Sequence, residues 1–193
     1  MILGLTGGMG CGKTTAAGMF AVLGFAPLDS DAIIRTRLLT DKEVVAAIRE
    51  HFGAGVLAES GAVDRGRLAR RVFTDEAALR WLEDLLHPRL YAYWRAAFAA
   101  EGSKSWVVEV PLLFEKSLQN WFDFTVCVAS DPVAQLARLE QRGLPAPLAR
   151  QRISMQLPLA QKIELVDFVL LNDGLPDFLR EQVARLVNSL STL

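Results

Sequence analysis

The run Gly7-Gly8-Met9-Gly10-Cys11-Gly12-Lys13-Thr14 constrains this chain more than any other feature. Its spacing is G-x-x-x-x-G-K-[ST], and it lies between an apolar stretch at 2–6 and a segment of helical spacing at 13–23. Glycines let such a loop wrap so that successive backbone N–H groups converge on phosphate oxygens. The positive end of the following helix adds to the field. Lys13 is placed to reach the β- and γ-phosphates, and Thr14 to offer a hydroxyl to Mg²⁺. A glycine-rich turn that merely opens a helix is the plain alternative, but the strand–loop–helix context favours a bound nucleotide. The motif names a ligand class and leaves the reaction open.

Apolar runs at 2–6, 106–110 and 124–129 read as buried parallel strands, with weaker candidates at 25–28 and 168–171. Helical spacing separates them at 13–23, at 133–141 (opened by Ser130-Asp131-Pro132) and at 177–190. That alternation implies an α/β fold with a parallel sheet. Two stretches depart from it. Residues 38–104 carry helical patterns at 44–51 and 76–98 with no convincing strand, and 135–162 is arginine-rich and broken by Gly143, Pro145, Pro147 and Pro158. The expected organisation is one sheet core with two helical excursions.

Twenty-one Lys and Arg against 22 Asp and Glu leave a net charge of −1, so no global field draws in nucleic acid. Most of the basic residues are arginine, and several are grouped. The two cysteines, Cys11 and Cys127, have no metal or disulfide spacing and suit a reducing compartment. No targeting segment and no long apolar span is read, so a cytoplasmic protein without membrane contact is expected.

A guanine-reading Asn-Lys-x-Asp is absent, and the third strand ends Val108-Glu109-Val110-Pro111 rather than in the aspartates of a motor ATPase. Phosphoryl transfer to a small molecule fits better, with helical pieces closing over both substrates to exclude water. Asp29 and Asp31 end the second strand, where ligands bind in open α/β sheets. Asp31 reads either as the acceptor of a proton from an attacking hydroxyl or as a helix N-cap. Arg138 and Arg142, spaced i,i+4, share a face with Gln135, and Arg150 and Arg152 follow. They suit charge neutralisation on a transferring phosphoryl group. Arg65, Arg67, Arg70 and Arg71 either clamp an anionic acceptor or solvate a helix. His87-Pro88 reads as a helix end, with His87 as a cap or a ligand contact.

The series as a whole resembles the dephospho-CoA kinase family. The resemblance rests on 4–14, on Leu28-Asp29-Ser30-Asp31 with Arg35, and on Gly61-Ala62-Val63-Asp64-Arg65 with Leu68 and Val72-Phe73. It continues through Leu86-His87-Pro88, Pro111-Leu112-Leu113-Phe114-Glu115, Arg138, Arg142, Arg152, Gln156-Leu157-Pro158, Lys162 and Asn172-Asp173-Gly174. What it implies is an α/β P-loop kinase fold of the nucleoside-monophosphate-kinase type: a five-stranded parallel sheet flanked by helices, with a helical acceptor-binding insertion and a lid. The implied core is 1–37, 104–134 and 163–193, the insertion 38–103 and the lid 135–162.

The implied reaction moves the ATP γ-phosphoryl to the 3′-hydroxyl of dephospho-CoA, with Mg²⁺ as cofactor. Lys13, Asp31, Arg138 and Arg142 are the implied catalytic set. Gly8, Gly10, Cys11, Gly12, Lys13, Thr14, Thr15, Arg142, Asn172 and Gly174 would hold ATP. Asp31, Arg35, Arg65, His87, Pro111, Leu112 and Glu115 would face the acceptor; Thr14 would face the metal, with Asp31 as a second candidate for it. A monomer or weak homo-oligomer is expected, with ATP and dephospho-CoA as its partners. Cys11 stands where serine is common, and a lowered thiol pKa there would make the loop oxidation-sensitive. A P-loop kinase for another small hydroxyl acceptor is the alternative, and an ATP-dependent switch protein a more distant one.

Overall fold

The structure, a computed structural model, describes residues 1–192; Leu193, the end of the expected core segment, lies outside the described residues. The chain divides into two compact units, 1–29 with 103–193 and 30–102.

The first unit is built on a five-stranded sheet of β1 (Ile2–Gly7), β2 (Ala26–Asp29), β3 (Trp106–Glu109), β4 (Phe124–Ala129) and β5 (Phe168–Leu171), in the order β2-β3-β1-β4-β5. Every pairing is parallel, with Leu5 opposite Glu109 on one side and Val126 on the other. β1, β3 and β4 are apolar almost without interruption because a parallel sheet of this kind is covered on both faces. Helix α1 (Lys13–Val22) contributes Ala16, Ala17 and Phe20 to this core. The final helix, α9 (Pro176–Leu190), contributes Leu179, Val183, Leu186 and Leu190 at helical spacing. Between β4 and β5 run α6 (Pro132–Gln141), α7 (Ala146–Ser154) and α8 (Leu159–Leu165). The Asp131 carboxylate caps α6 by accepting from the Val133 N–H at 2.7 Å, with Pro132 in the first turn as the sequence indicated.

The second unit is helical: α2 (Ser30–Thr36), α3 (Lys42–Phe52), α4 (Arg65–Val72) and α5 (Glu76–Ala100). Its core gathers Val44, Ile48, Val56, Leu68, Val72, Ala78 and Leu86, with Ile34, Phe52 and Trp81 packed against them. His51 stacks on Trp81 with ring centroids 3.9 Å apart. Aspartates open three of these helices: Asp41 for α3, Asp64 for α4 and Asp75 for α5. Each carboxylate accepts from first-turn backbone N–H groups that have no intrahelical partner. The strand pairing within this unit is a bridge between Leu57 and Val63.

Two expectations change. Residues 30–37 belong with the helical unit, since α2 sends Ile34 into its core, so the chain leaves the sheet unit at Asp29 rather than after residue 37. His87-Pro88 does not end a helix, because α5 runs through it to Ala100. Pro88 has no N–H to give the Asp84 carbonyl one turn back, and beside that gap the Arg89 guanidinium donates to the Leu85 carbonyl at 2.8 Å. No helix among the described residues is long and apolar enough to cross a membrane.

Candidate active site

The loop between β1 and α1 has the conformation its glycines permit. Gly10 and Gly12 sit at φ 81° and 94°, in the left-handed region. A side chain at Gly10 would strike the Gln135 carbonyl oxygen at 2.8 Å, and one at Gly12 would run into the Asn172 amide. The loop therefore passes close against other elements, and only glycine fits. The Lys13 ammonium donates to the Gly7 and Gly8 carbonyls, both at 3.1 Å, and so lies across the loop where phosphates bind. Thr14 and Thr15 are exposed at the start of α1, and Gly8 is buried.

Glu109 is not among the site candidates read from the sequence. It ends β3, is only 7% exposed, and accepts from the Thr14 hydroxyl at 2.9 Å. A buried glutamate needs a partner, and a lone carboxylate closing an otherwise apolar strand was the available signal. Taken against the motor pattern, its absence of a neighbouring Asp hid its position beside the loop. The Thr14 hydroxyl and the Glu109 carboxylate together form an oxygen donor pair of the kind that suits Mg²⁺, which takes one or two protein oxygens and completes its shell with phosphates and water.

The far side of the loop is held by a network over Ser130, Arg138 and Asn172. The Arg138 guanidinium donates to the Gly10 carbonyl at 3.3 Å, the Ser130 hydroxyl oxygen at 2.8 Å and the Asn172 carbonyl at 2.6 Å. The Asn172 amide donates to the Cys11 carbonyl at 2.9 Å, and the Ser130 hydroxyl to the Asn172 carbonyl at 2.8 Å. Arg138 and Asn172 thus meet the loop through its backbone, and both brace its shape. Ser130 was not singled out by sequence. Arg142, one turn beyond Arg138, ends α6 and is exposed, as are Arg150 and Arg152 on α7. Gly174 lies exposed after β5, near Phe178 of α9.

Cys11 corrects an expectation. Burial pushes its thiol above the ordinary value, outweighing the pull of Lys13 and Arg138. The loop cysteine is therefore a packed thiol whose pKa burial raises rather than lowers. Cys127, also buried, is pushed up to about 12, chiefly by burial.

On the acceptor side the structure separates the candidates. Pro111, Leu112 and Glu115 follow β3, and Glu115 is engaged by Lys162 and the Leu157 N–H. Asp31, Arg35, Arg65 and His87 lie in the helical unit. Asp31 is exposed in the first turn of α2, Arg35 exposed in its last, and Arg65 exposed at the start of α4. His87 is half-buried on α5, its ring 5.9 Å from that of Tyr91. Arg67 donates to the Leu57 carbonyl and pairs with Asp64, and Arg71 pairs with Asp75, so part of the arginine cluster serves the helix and its flanking turn.

A parallel five-stranded sheet whose first strand opens into this loop, with Lys13 across it and Thr14 beside a strand-end carboxylate, defines a P-loop kinase. The solved structure of a Thermus thermophilus protein covers 98% of this chain and 97% of its own, with a TM-score of 0.87 and 29% identity. Dephospho-CoA kinase from Campylobacter jejuni shares the fold over 99% of this chain and 97% of its own, with a TM-score of 0.72 and 23% identity. The family model for dephospho-CoA kinase matches residues 1–177. Dephospho-CoA kinase of Thermosynechococcus vestitus is 38% identical over 94% of this chain and 90% of its own length. The chain belongs to the dephospho-CoA kinase family.

Proposed function

We propose that this protein transfers the γ-phosphoryl group of ATP to the 3′-hydroxyl of dephospho-CoA, releasing ADP and coenzyme A. The observation that carries the reading is the phosphate loop with its Thr14–Glu109 pair, in a chain that belongs to this family over almost its whole length. The same reading makes it a cytoplasmic monomer or weak homo-oligomer, with ATP and dephospho-CoA as its partners and Mg²⁺ as its cofactor.

In this mechanism the backbone N–H groups from Gly8 to Thr15 receive the phosphate oxygens. Lys13 exchanges the Gly7 and Gly8 carbonyls for the β- and γ-phosphates, a short move because it already lies across the loop. Thr14 and Glu109 would hold Mg²⁺, which supplies charge neutralisation on the phosphates when bound. Asp31 accepts the proton of the 3′-hydroxyl as its oxygen forms the new P–O bond and the bond to the β-phosphate bridging oxygen breaks. Arg142 neutralises charge on the equatorial oxygens, and Arg138 does so with the donors left over from its bonds to Gly10, Ser130 and Asn172. Asn172 and Gly174 border the base of ATP. Arg35, Arg65, His87, Pro111, Leu112 and Glu115 orient the acceptor, with the helical unit as its binding domain and 135–162 as the lid.

The test is ADP formation from Mg-ATP with dephospho-CoA, adenosine, shikimate or no acceptor, with the product identified by mass and by 3′-phosphatase. Dephospho-CoA-dependent ADP release with a 3′-phosphorylated product is expected. Turnover only with another acceptor would refute the substrate assignment, and acceptor-independent hydrolysis alone would refute transfer.

A further inference from the structure

Lys162, on α8, has no accessible surface, yet its side chain ends in an ammonium group. A cation so buried persists only where its donors are met. Its Nζ donates to the Pro111 carbonyl at 2.6 Å and pairs with Glu115 Oε1 at 2.8 Å. The same Oε1 accepts from the Leu157 N–H at 2.9 Å. One ion pair thus ties together the end of β3, the turn that follows it and the connection between α7 and α8.

The tied segment leads directly into the site. The Val110 N–H donates to the Leu5 carbonyl at 2.9 Å, and the Thr6 hydroxyl reaches the same Pro111 carbonyl at 3.4 Å. Two residues before Pro111, Glu109 grips Thr14. The turn itself holds Ser117 at φ 52°, a conformation a non-glycine residue keeps only where its surroundings impose it. The arginine-bearing arm has two roots on this unit: Arg138 on the Gly10 carbonyl at its start, and Leu157 and Lys162 on Glu115 and Pro111 at its return.

We propose that Lys162 is a positioning residue for phosphoryl transfer: by clamping the Pro111 carbonyl and the Glu115 carboxylate it fixes the strand end on which Glu109 meets Thr14 and roots the return end of the arm. This rests on the kinase reading above. Glu115 acts through the same clamp.

The experiment compares wild type, Lys162→Met and the pair Lys162→Met/Glu115→Leu by Tm, by affinity for a non-hydrolysable ATP analogue, and by kcat and KM with dephospho-CoA. Lys162→Met leaves the half-buried Glu115 without its cation and lowers Tm. The apolar pair removes both charges and recovers Tm, since well-packed apolar groups often replace a buried ion pair without loss. In both variants kcat falls by about tenfold to a hundredfold, because the strand end is no longer held to catalytic tolerance. The KM for ATP and the analogue affinity stay within about threefold of wild type, as does the KM for dephospho-CoA in Lys162→Met, while the apolar pair, which also removes Glu115 from the acceptor, raises the KM for dephospho-CoA. An apolar pair that recovers kcat together with Tm overturns the proposal, leaving Lys162 a fold-holding residue only. Absence of dephospho-CoA-dependent turnover in the wild type refutes the kinase reading instead, so the two failures are told apart.

Discussion

The two compact units organise their polar groups in opposite ways. Around the phosphate loop, contacts span great lengths of chain: Thr14 to Glu109 across 95 residues, Arg138 to Gly10 across 128, Asn172 to Cys11 across 161. In the helical unit the aspartate caps and ion pairs are local, Asp41 to Val44, Asp64 to Arg67 and Arg71 to Asp75. A loop that must present converging N–H groups to phosphates has to be over-determined from several elements, because a small displacement misaligns all of them. A helical unit held by local caps and ion pairs needs only stable helices. The difference makes the phosphate loop preformed and, under the proposed function, would leave the helical unit as the adaptable, acceptor-binding side.

The largest expected effects set the two sides apart. Lys13→Ala lowers kcat by roughly two to three orders of magnitude and weakens ATP binding, since its charge serves both the ground and transition states. Asp31→Asn lowers kcat by about two to four orders of magnitude while leaving ATP affinity at the wild-type level. Steady-state kinetics with nucleotide titration check both. Near-normal turnover in Asp31→Asn would reduce this residue to part of a helix start. Glu109→Gln comes next. It keeps the bond from Thr14 but removes the charge, and raises the Mg²⁺ concentration for half-maximal rate by about tenfold to a hundredfold. An unchanged Mg²⁺ dependence would make Glu109 a buried anchor for Thr14 alone.

Arg65→Ala is smaller and falls on the acceptor side. KM for dephospho-CoA rises by about fivefold at most, as an exposed charge allows, with Tm and ATP affinity unchanged. A shift in ATP affinity instead would break the division between the two sides. The smallest effect is on stability in acid. The Asp64 carboxyl is held below its ordinary value of 3.8 mainly by the Arg67 N–H, and that of Asp75 mainly by the Ala78 N–H. Because these groups bind protons less tightly folded than unfolded, their contribution is present above that ordinary value and is lost as pH falls through the depressed folded value. Circular dichroism between pH 5 and pH 2 (about that range) follows this loss, and Asp64→Asn together with Asp75→Asn flattens it.

The local features were legible in sequence. The phosphate loop, the apolar strands 124–129 and 168–171, and the Asp131-Pro132 start of α6 follow from nearest-neighbour chemistry, and the structure keeps them. What sequence could not show was which distant groups the parallel register brings together. Glu109 faces Thr14 because β3 pairs beside β1, with Leu5 opposite Glu109. Lys162 meets Pro111 because the chain returns to the sheet after α7. The burial that raises the Cys11 thiol is likewise a matter of tertiary packing that its place in the loop does not reveal. Pro88 reads as a stop, yet its helix continues, propensity being overruled by packing.

Single-turnover transfer from ATP labelled in the γ-phosphoryl group tests the central claim most directly. With dephospho-CoA present, the account predicts that the label moves to the 3′-oxygen of coenzyme A, with little inorganic phosphate and almost no loss of label from ATP when the acceptor is omitted. Label appearing in inorganic phosphate at the same rate with and without dephospho-CoA would contradict it.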